Sequence, residues 1–277
     1  MKKIAVLGAE GSFSSIAAKK YINKKNEDKY RVLFYKSLNQ IAESVGKECD
    51  FAVIPLENSM DGYVHIVLDI LTRLKLHICS EIVLPVEYSL VGNCEKLEEM
   101  KKIYVQFKTK EQCTKFLEKT NIKLFTTESN SESFEMVNYG IDGDGAVLPN
   151  YLIEGSNSFK LKIDNIADGE KNETRFIVIS GKKEENKKNQ KKYKSLILVE
   201  DVDEREKAMS EIVSKFSESN IKLISIISRA TKMRHGKYHF FIDISGDCYS
   251  DEKIKRALES IEEKYEIKLL GSYDSIR

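Results

Sequence analysis

Through the first two-thirds of the chain, short apolar runs alternate with stretches of helical periodicity, and this alternation constrains the fold more than any other feature. Apolar runs over 4–7, 32–35, 51–54, 78–84, 103–105, 123–125, 146–148 and 175–179 predict strands. Between them, 14–21, 38–47, 64–74, 110–119 and 131–139 predict helices. Strands that alternate with helices need crossover connections, and crossovers give an α/β fold with a largely parallel sheet. We expect the chain to leave a first lobe near Ser80 and to return near Thr174. That makes two lobes, about 1–79 plus 174–180 and 80–173, with a cleft between them.

A change of texture follows. Residues 181–194 read GKKEENKKNQKKYK, which is polar, charged and without periodicity, so they form a linker or, alternatively, a solvated hairpin. New periodic structure begins at Ser195: strand 196–200, helix 204–219, strands 221–228 and 238–244, helix 251–264, strand 268–270. This βαββαβ order is the ferredoxin-like arrangement. The expected domains are therefore 1–180 and 195–277, and a length of 277 residues accommodates two.

Several function classes drop out. Lys and Arg number 45 against 44 Asp and Glu, so no basic surface for nucleic acid is indicated. The cysteines, Cys49, Cys79, Cys94, Cys113 and Cys248, are odd in number and widely spaced, which fits neither a zinc site nor a disulfide framework and points to a reducing, cytoplasmic setting. The opening MKKIAVLGAEGSFSS lacks the apolar core and cleavage site of a signal peptide, and no stretch reaches the roughly 20 apolar residues of a membrane span. Gly-x-Ser-x-Gly, Walker and His-Glu-x-x-His patterns are absent. His65, His77, His235 and His239 have no ligand-like spacing.

Three motifs remain. Gly8-Ala9-Glu10-Gly11-Ser12-Phe13-Ser14 joins a strand to a helix. Ser12 or Ser14 can cap that helix, whose exposed amides suit an anion; a plain tight turn is the other reading. Pro55-Leu56-Glu57-Asn58-Ser59-Met60-Asp61-Gly62 ends a strand in polar donors, where open α/β sheets present ligands, with Asp61 able to cap the next helix; a structural turn is again the competitor. Asn172-Glu173-Thr174-Arg175-Phe176 leads into an apolar strand, with Thr174 at its start as either a reactive hydroxyl or simply a good strand former.

In this order, the three motifs resemble the signatures of the prephenate dehydratase family, and Leu270-Gly271-Ser272-Tyr273 resembles the end of its ACT domain. The resemblance implies a periplasmic-binding-protein-like catalytic domain of two lobes, followed by a ferredoxin-like ACT regulatory domain. It implies Thr174 as the catalytic residue. It places substrate contacts at Ser12, Asn58, Ser59, Ser129, Asn130, Arg175 and Phe176, and effector contacts at Ala208, Met209, Ser228 and Arg229. A homodimer or homotetramer is expected, with phenylalanine as the effector. Prephenate loses carbon dioxide and its ring hydroxyl; decarboxylation supplies the electron pair, so only the leaving hydroxyl needs a proton, and no metal or organic cofactor is required.

The chain also departs from the family. Val105-Gln106-Phe107-Lys108 stands where relatives have Ser-His-Pro-Gln, Ser129-Asn130 where they have serine-threonine, and Tyr88 where a histidine is frequent. In the ACT-like domain, Lys207-Ala208-Met209 replaces a Gly-Ala-Leu stretch and Ile227-Ser228-Arg229-Ala230 a Glu-Ser-Arg-Pro stretch, so phenylalanine control is expected to be weakened or altered. An arogenate dehydratase, another prephenate-converting enzyme or a non-catalytic small-molecule sensor is the alternative on the same scaffold.

Overall fold

The computed structural model describes every residue except 26–29, 155–157, 170, 184–192, 204, 232–235 and 277. β1 (Lys2–Leu7) lies between β2 (Tyr30–Tyr35) and β3 (Phe51–Asn58), parallel to both. The crossovers are α1 (Phe13–Lys25) and α2 (Leu38–Ser44). The short β4 (Gly62–Tyr63) folds back on the end of β3, and α3 (His65–Arg73) leads to β5 (His77–Pro85). β5 thus stays in the first lobe to Pro85, beyond the expected crossing near Ser80, because its residues from Ser80 to Leu84 are buried on both faces.

The second lobe is built on β6 (Tyr88–Gly92), β7 (Lys102–Gln106), β8 (Lys123–Thr127), β9 (Asp144–Pro149) and β10 (Leu161–Ile163), in the order β10-β6-β9-β7-β8. Its helices are α4 (Phe107–Gln112), α5 (Thr114–Thr120), α6 (Asn130–Asn138) and α7 (Asn150–Ile153). The single helix expected over 110–119 is two. The Gln106 side chain caps α4 by accepting from Lys108 N and Thr109 N, and Cys113, with φ −127, breaks the helical path before α5.

The chain returns as β11 (Glu173–Ser180), which slots antiparallel between β3 and β5. Arg175 pairs with Glu57, but Phe176 pairs with Pro55, so Leu56 is bulged out. Pro55 has no N–H to give to a ladder, and a bulge accommodates it within a central strand. Alternation along β11 then sorts its side chains. Phe176 and Val178 enter a core with Ala17, Ala18 and Tyr21 of α1. Ile177 and Ile179 enter a core on the opposite face.

The remaining elements are β12 (Tyr193–Val202), α8 (Arg205–Glu218), β13 (Leu223–Ala230), β14 (Tyr238–Ser245), α9 (Glu252–Glu262) and β15 (Glu266–Ile276). The strand order β13-β14-β12-β15 is ferredoxin-like. The linker expected over 181–194 falls mostly on residues outside those described, and β12 already starts at Tyr193. β15 is far longer than the expected 268–270. Its end pairs in parallel with β5, so among the described residues one ten-stranded sheet runs through both units. One face of the added sheet holds α8 and α9 over Ile197, Phe240 and Ile242. The other face contributes Leu196, Leu198, Phe241 and Tyr273 to the core of the first lobe, next to Ile54, Leu68 and Ile177. Lys268 of β15 reaches across and donates to Leu71 O, Thr72 O and Leu74 O, capping α3. Among the described residues, no helix is long and apolar enough to cross a membrane.

Candidate active site

The ends of β3 and β11 bring the second and third motifs together. Asn58 Nδ2 donates to Thr174 Oγ1 at 2.9 Å and to Asn172 Oδ1 at 2.7 Å. Asn58 Oδ1 accepts from the backbone N–H groups of Met60 (2.9 Å) and Asp61 (3.0 Å), an Asx turn that fixes which end of the amide faces Thr174. Asn172, buried behind this pair, passes its own Nδ2 to Gln112 Oε1 at 3.2 Å. A row of amides therefore runs from α4 of the second lobe to the Thr174 hydroxyl. Asp61 does not cap α3: the cap position is Val64, without a side-chain bond.

Ser59 is used differently from the expectation. Its Oγ donates to Lys171 O at 3.1 Å and accepts from Glu173 N at 2.9 Å. The hydroxyl clamps the returning chain and positions the start of β11; it does not face the cleft as a donor. Ser12 caps α1, accepting from Ser15 N and donating to Leu7 O, each at 3.2 Å. Gly8 and Gly11, at φ +87 and +78, make the turn before it. A Cβ on Gly11 would lie 3.3 Å from Leu152 Cδ2 and 3.4 Å from Ser131 Oγ, so the N-termini of α1 and α6 meet where the lobes touch.

Across the cleft, Ser129 caps α6 by accepting from Glu132 N at 3.0 Å, and Asn130 Oδ1 accepts from the buried Thr109 hydroxyl at 2.8 Å. Tyr88 lies beside Thr109, and burial pushes its phenol up to about 12, eased by the Thr109 hydroxyl and reinforced by Cys113 and Asp61. Phe13 packs edge-on against Tyr88 (6.4 Å) and Tyr151 (4.9 Å), forming an aromatic wall between the lobes. The Tyr151 hydroxyl is buried with no hydrogen-bond partner among the described residues.

Two expected substrate contacts are placed elsewhere. Phe176 is 2% exposed and packs under α1. Arg175 leaves the opposite face of β11 from Thr174 and is ringed by Glu57, Glu81 and Asp243. Alternation along β11 accounts for Arg175; Phe176 shares the Thr174 face but lies two residues further in, covered by α1. Asn172 is legible in the sequence two residues before Thr174 in the same motif, whereas Gln112, Thr109 and Tyr151 carried no signal.

The expected effector residues do not converge on one pocket. Ala208 is buried in the core beneath α8, and Met209 is exposed on that helix. Ser228 and Arg229 lie on β13, and Arg229 grips Asp69 of α3 through Nε–Oδ1 (2.9 Å) and Nη2–Oδ2 (3.0 Å). A cavity of about 910 Å³ opens beside this pair, lined by Ile66, Ile70 and Arg73 from the first lobe and Glu200, Ala230 and His239 from the added unit.

A family model described as prephenate dehydratase matches residues 4–184. A prephenate dehydratase of Methanocaldococcus jannaschii is 31% identical over 268 residues, covering 95% of each chain. The crystal structure of an Arthrobacter aurescens prephenate dehydratase in complex with L-Phe superposes with a TM-score of 0.80 at 22% identity, covering 98% of this chain and 90% of that one. A quorum-quenching acylase shares the fold almost as closely, with a TM-score of 0.79 at 20% identity over 99% of this chain and 98% of that one, so the fold alone does not select a chemistry. The sequence match does select a family: the chain belongs to the prephenate dehydratase family.

Proposed function

We propose that the protein is an enzyme converting prephenate to phenylpyruvate in phenylalanine biosynthesis, with Thr174 as the proton donor. The carrying observation is the direction of the Asn58–Thr174 hydrogen bond. Because Asn58 must donate, the Thr174 oxygen accepts, and its own proton is available to a third partner. As the ring loses carbon dioxide, the electron pair left behind aromatises it and expels hydroxide. The Thr174 proton meets that hydroxide and water departs; the threonine oxygen regains a proton from solvent. The Asn58 N–H, already aimed at this oxygen, stabilises negative charge as it develops there.

The two substrate carboxylates are assigned to backbone amides at the N-termini of α1 and α6, which Ser12 and Ser129 cap, with Asn130 beside them. Asn58 and Ser59 act through Thr174 and the returning chain. The catalytic unit spans 1–180, lies in the cytoplasm and assembles as a homodimer or homotetramer. The unit from 195 onward is an ACT-like regulatory domain in which phenylalanine control is weakened, because Arg229 is committed to Asp69 and Ile227 stands where a carboxylate would meet an ammonium group.

The test is absorbance of phenylpyruvate after mixing the purified protein with prephenate. Turnover by the unmodified chain with loss of kcat in Thr174→Ala supports the assignment. No turnover would remove the activity, and wild-type turnover in Thr174→Ala would remove Thr174 from the mechanism.

A further inference from the structure

Arg175 follows Thr174 in β11, and its guanidinium sits on the other face of the sheet among carboxylates from three strands. Nη1 meets Glu57 Oε2 of β3 at 2.8 Å; Nη2 meets Glu81 Oε2 of β5 at 2.8 Å and Asp243 Oδ2 of β14 at 2.7 Å. Lys194 of β12 and Ser275 of β15 both bond Glu81 Oε1 at 2.8 Å. The Glu81 and Asp243 side chains are 0% and 1% exposed, so water cannot replace a lost partner.

Glu57 is the register partner of Arg175, and Asn58 is the register partner of Thr174. Two side-chain rungs thus cross the same strand pair side by side: Asn58–Thr174 on the cleft face and Glu57–Arg175 on the opposite face. They lie immediately beyond the bulge, where the backbone ladder slips and constrains least. The added ferredoxin-like unit reaches both motif strands here: Asp243 meets Arg175, and Ser225 Oγ lies 3.1 Å from the hydroxyl of Tyr63, the register partner of Glu57.

We infer that Arg175 is a positioning residue, which with Glu57 sets the Asn58–Thr174 spacing, and that Asp243 makes the ferredoxin-like unit part of that setting. This rests on the reading of Thr174 as the proton donor. The unit then acts on turnover through one guanidinium, across the sheet from the cleft. A merely structural role, holding the units together, would instead be shared with the Asp69–Arg229 pair, which joins the same units far from β11 in the sequence.

The test uses full-length variants and prephenate turnover. Asp243→Asn keeps the side-chain shape and an acceptor but removes the charge. It is expected to lower kcat about tenfold or more while KM stays within about twofold. Arg175→Lys changes kcat in the same direction and stands in if the first variant does not fold. In a Thr174→Ala background, Asp243→Asn is expected to cause no further loss, because it acts through Thr174. Asp69→Asn is expected to lower the melting temperature with kcat unchanged. Wild-type kcat in Asp243→Asn beside a crippled Thr174→Ala would overturn the inference while leaving the donor in place. So would an undiminished loss in the Thr174→Ala background, or an equal loss of kcat in Asp69→Asn. Wild-type turnover in Thr174→Ala would overturn both readings.

Discussion

Asn58 Nδ2 lies 2.9 Å from Thr174 Oγ1, and it must be the donor, because the amide oxygen is already held by Met60 N and Asp61 N. Asn58→Asp keeps the oxygen and the Asx turn but replaces the donor by an acceptor. The threonine proton would then turn toward the carboxylate and away from substrate. We expect kcat to fall by about 10²-fold, within the range typical of a lost general acid, and Thr174→Ser to retain far more activity than Thr174→Ala. Steady-state kinetics at saturating prephenate measures both; an Asn58→Asp enzyme with undiminished kcat would detach the amide from the mechanism.

Much of this arrangement was legible in the sequence. Apolar runs flanked by polar motifs located the strands that carry Asn58 and Thr174, and the βαββαβ order located the second unit. The faces of β11 were not legible. The motif resemblance implies substrate contacts at Arg175 and Phe176; alternation turns Arg175 to the other face, while Phe176 shares the Thr174 face but is covered by α1. The long β15 was cut short because 271–276 mixes polar with apolar residues; Ser272 and Asp274 find buried or half-buried polar partners in Ser195 and Ser80. Gln112 and Thr109 matter through contacts with residues distant in sequence, Asn172 and Asn130, which no local pattern encodes.

Ser59 gives a prediction that separates binding from architecture. Its hydroxyl bonds Lys171 O and Glu173 N, so Ser59→Ala removes two links between motif strands. A loss of about 0.5–1.5 kcal/mol in stability is expected, the net worth of a typical hydrogen bond, because Ser59 is exposed. Thermal denaturation should show a lower midpoint, with kcat/KM of the folded enzyme within about threefold of the parent. A large rise in KM without a change in midpoint would instead return Ser59 to the substrate.

The alkaline side of the pH profile follows from the same groups. The proposed donor is an alcohol held by an amide, and neither titrates near neutrality. The nearby Tyr88 phenol is pushed up to about 12 by burial, eased only in part by Thr109, so it keeps its proton well past its ordinary range. We expect kcat to stay within about twofold from roughly pH 7 to pH 10. A limb in that interval that disappears in Tyr88→Phe would show that the phenol ionises in the working site.

Phenylalanine is the last case. An amino acid effector offers an ammonium group, a carboxylate and an apolar side chain, and each needs a partner. Ala208 is 1% exposed and packed in the core beneath α8, leaving it no surface to offer. Arg229 could have met a carboxylate, but Nε and Nη2 of its guanidinium are bound by Asp69, in a pair that also joins the two units. Ile227 packs against the core of the first lobe, where it supplies no charge. Binding through Arg229 would therefore have to break its two-point ion pair with Asp69 and loosen a link between the two units. Isothermal titration should show no binding tighter than about 1 mM, a free energy of about −4 kcal/mol, and phenylalanine at that concentration should leave the rate of phenylpyruvate formation unchanged. Micromolar binding accompanied by inhibition would mean that Arg229 exchanges Asp69 for the effector, and the Asp69→Asn variant would then bind more tightly than the parent.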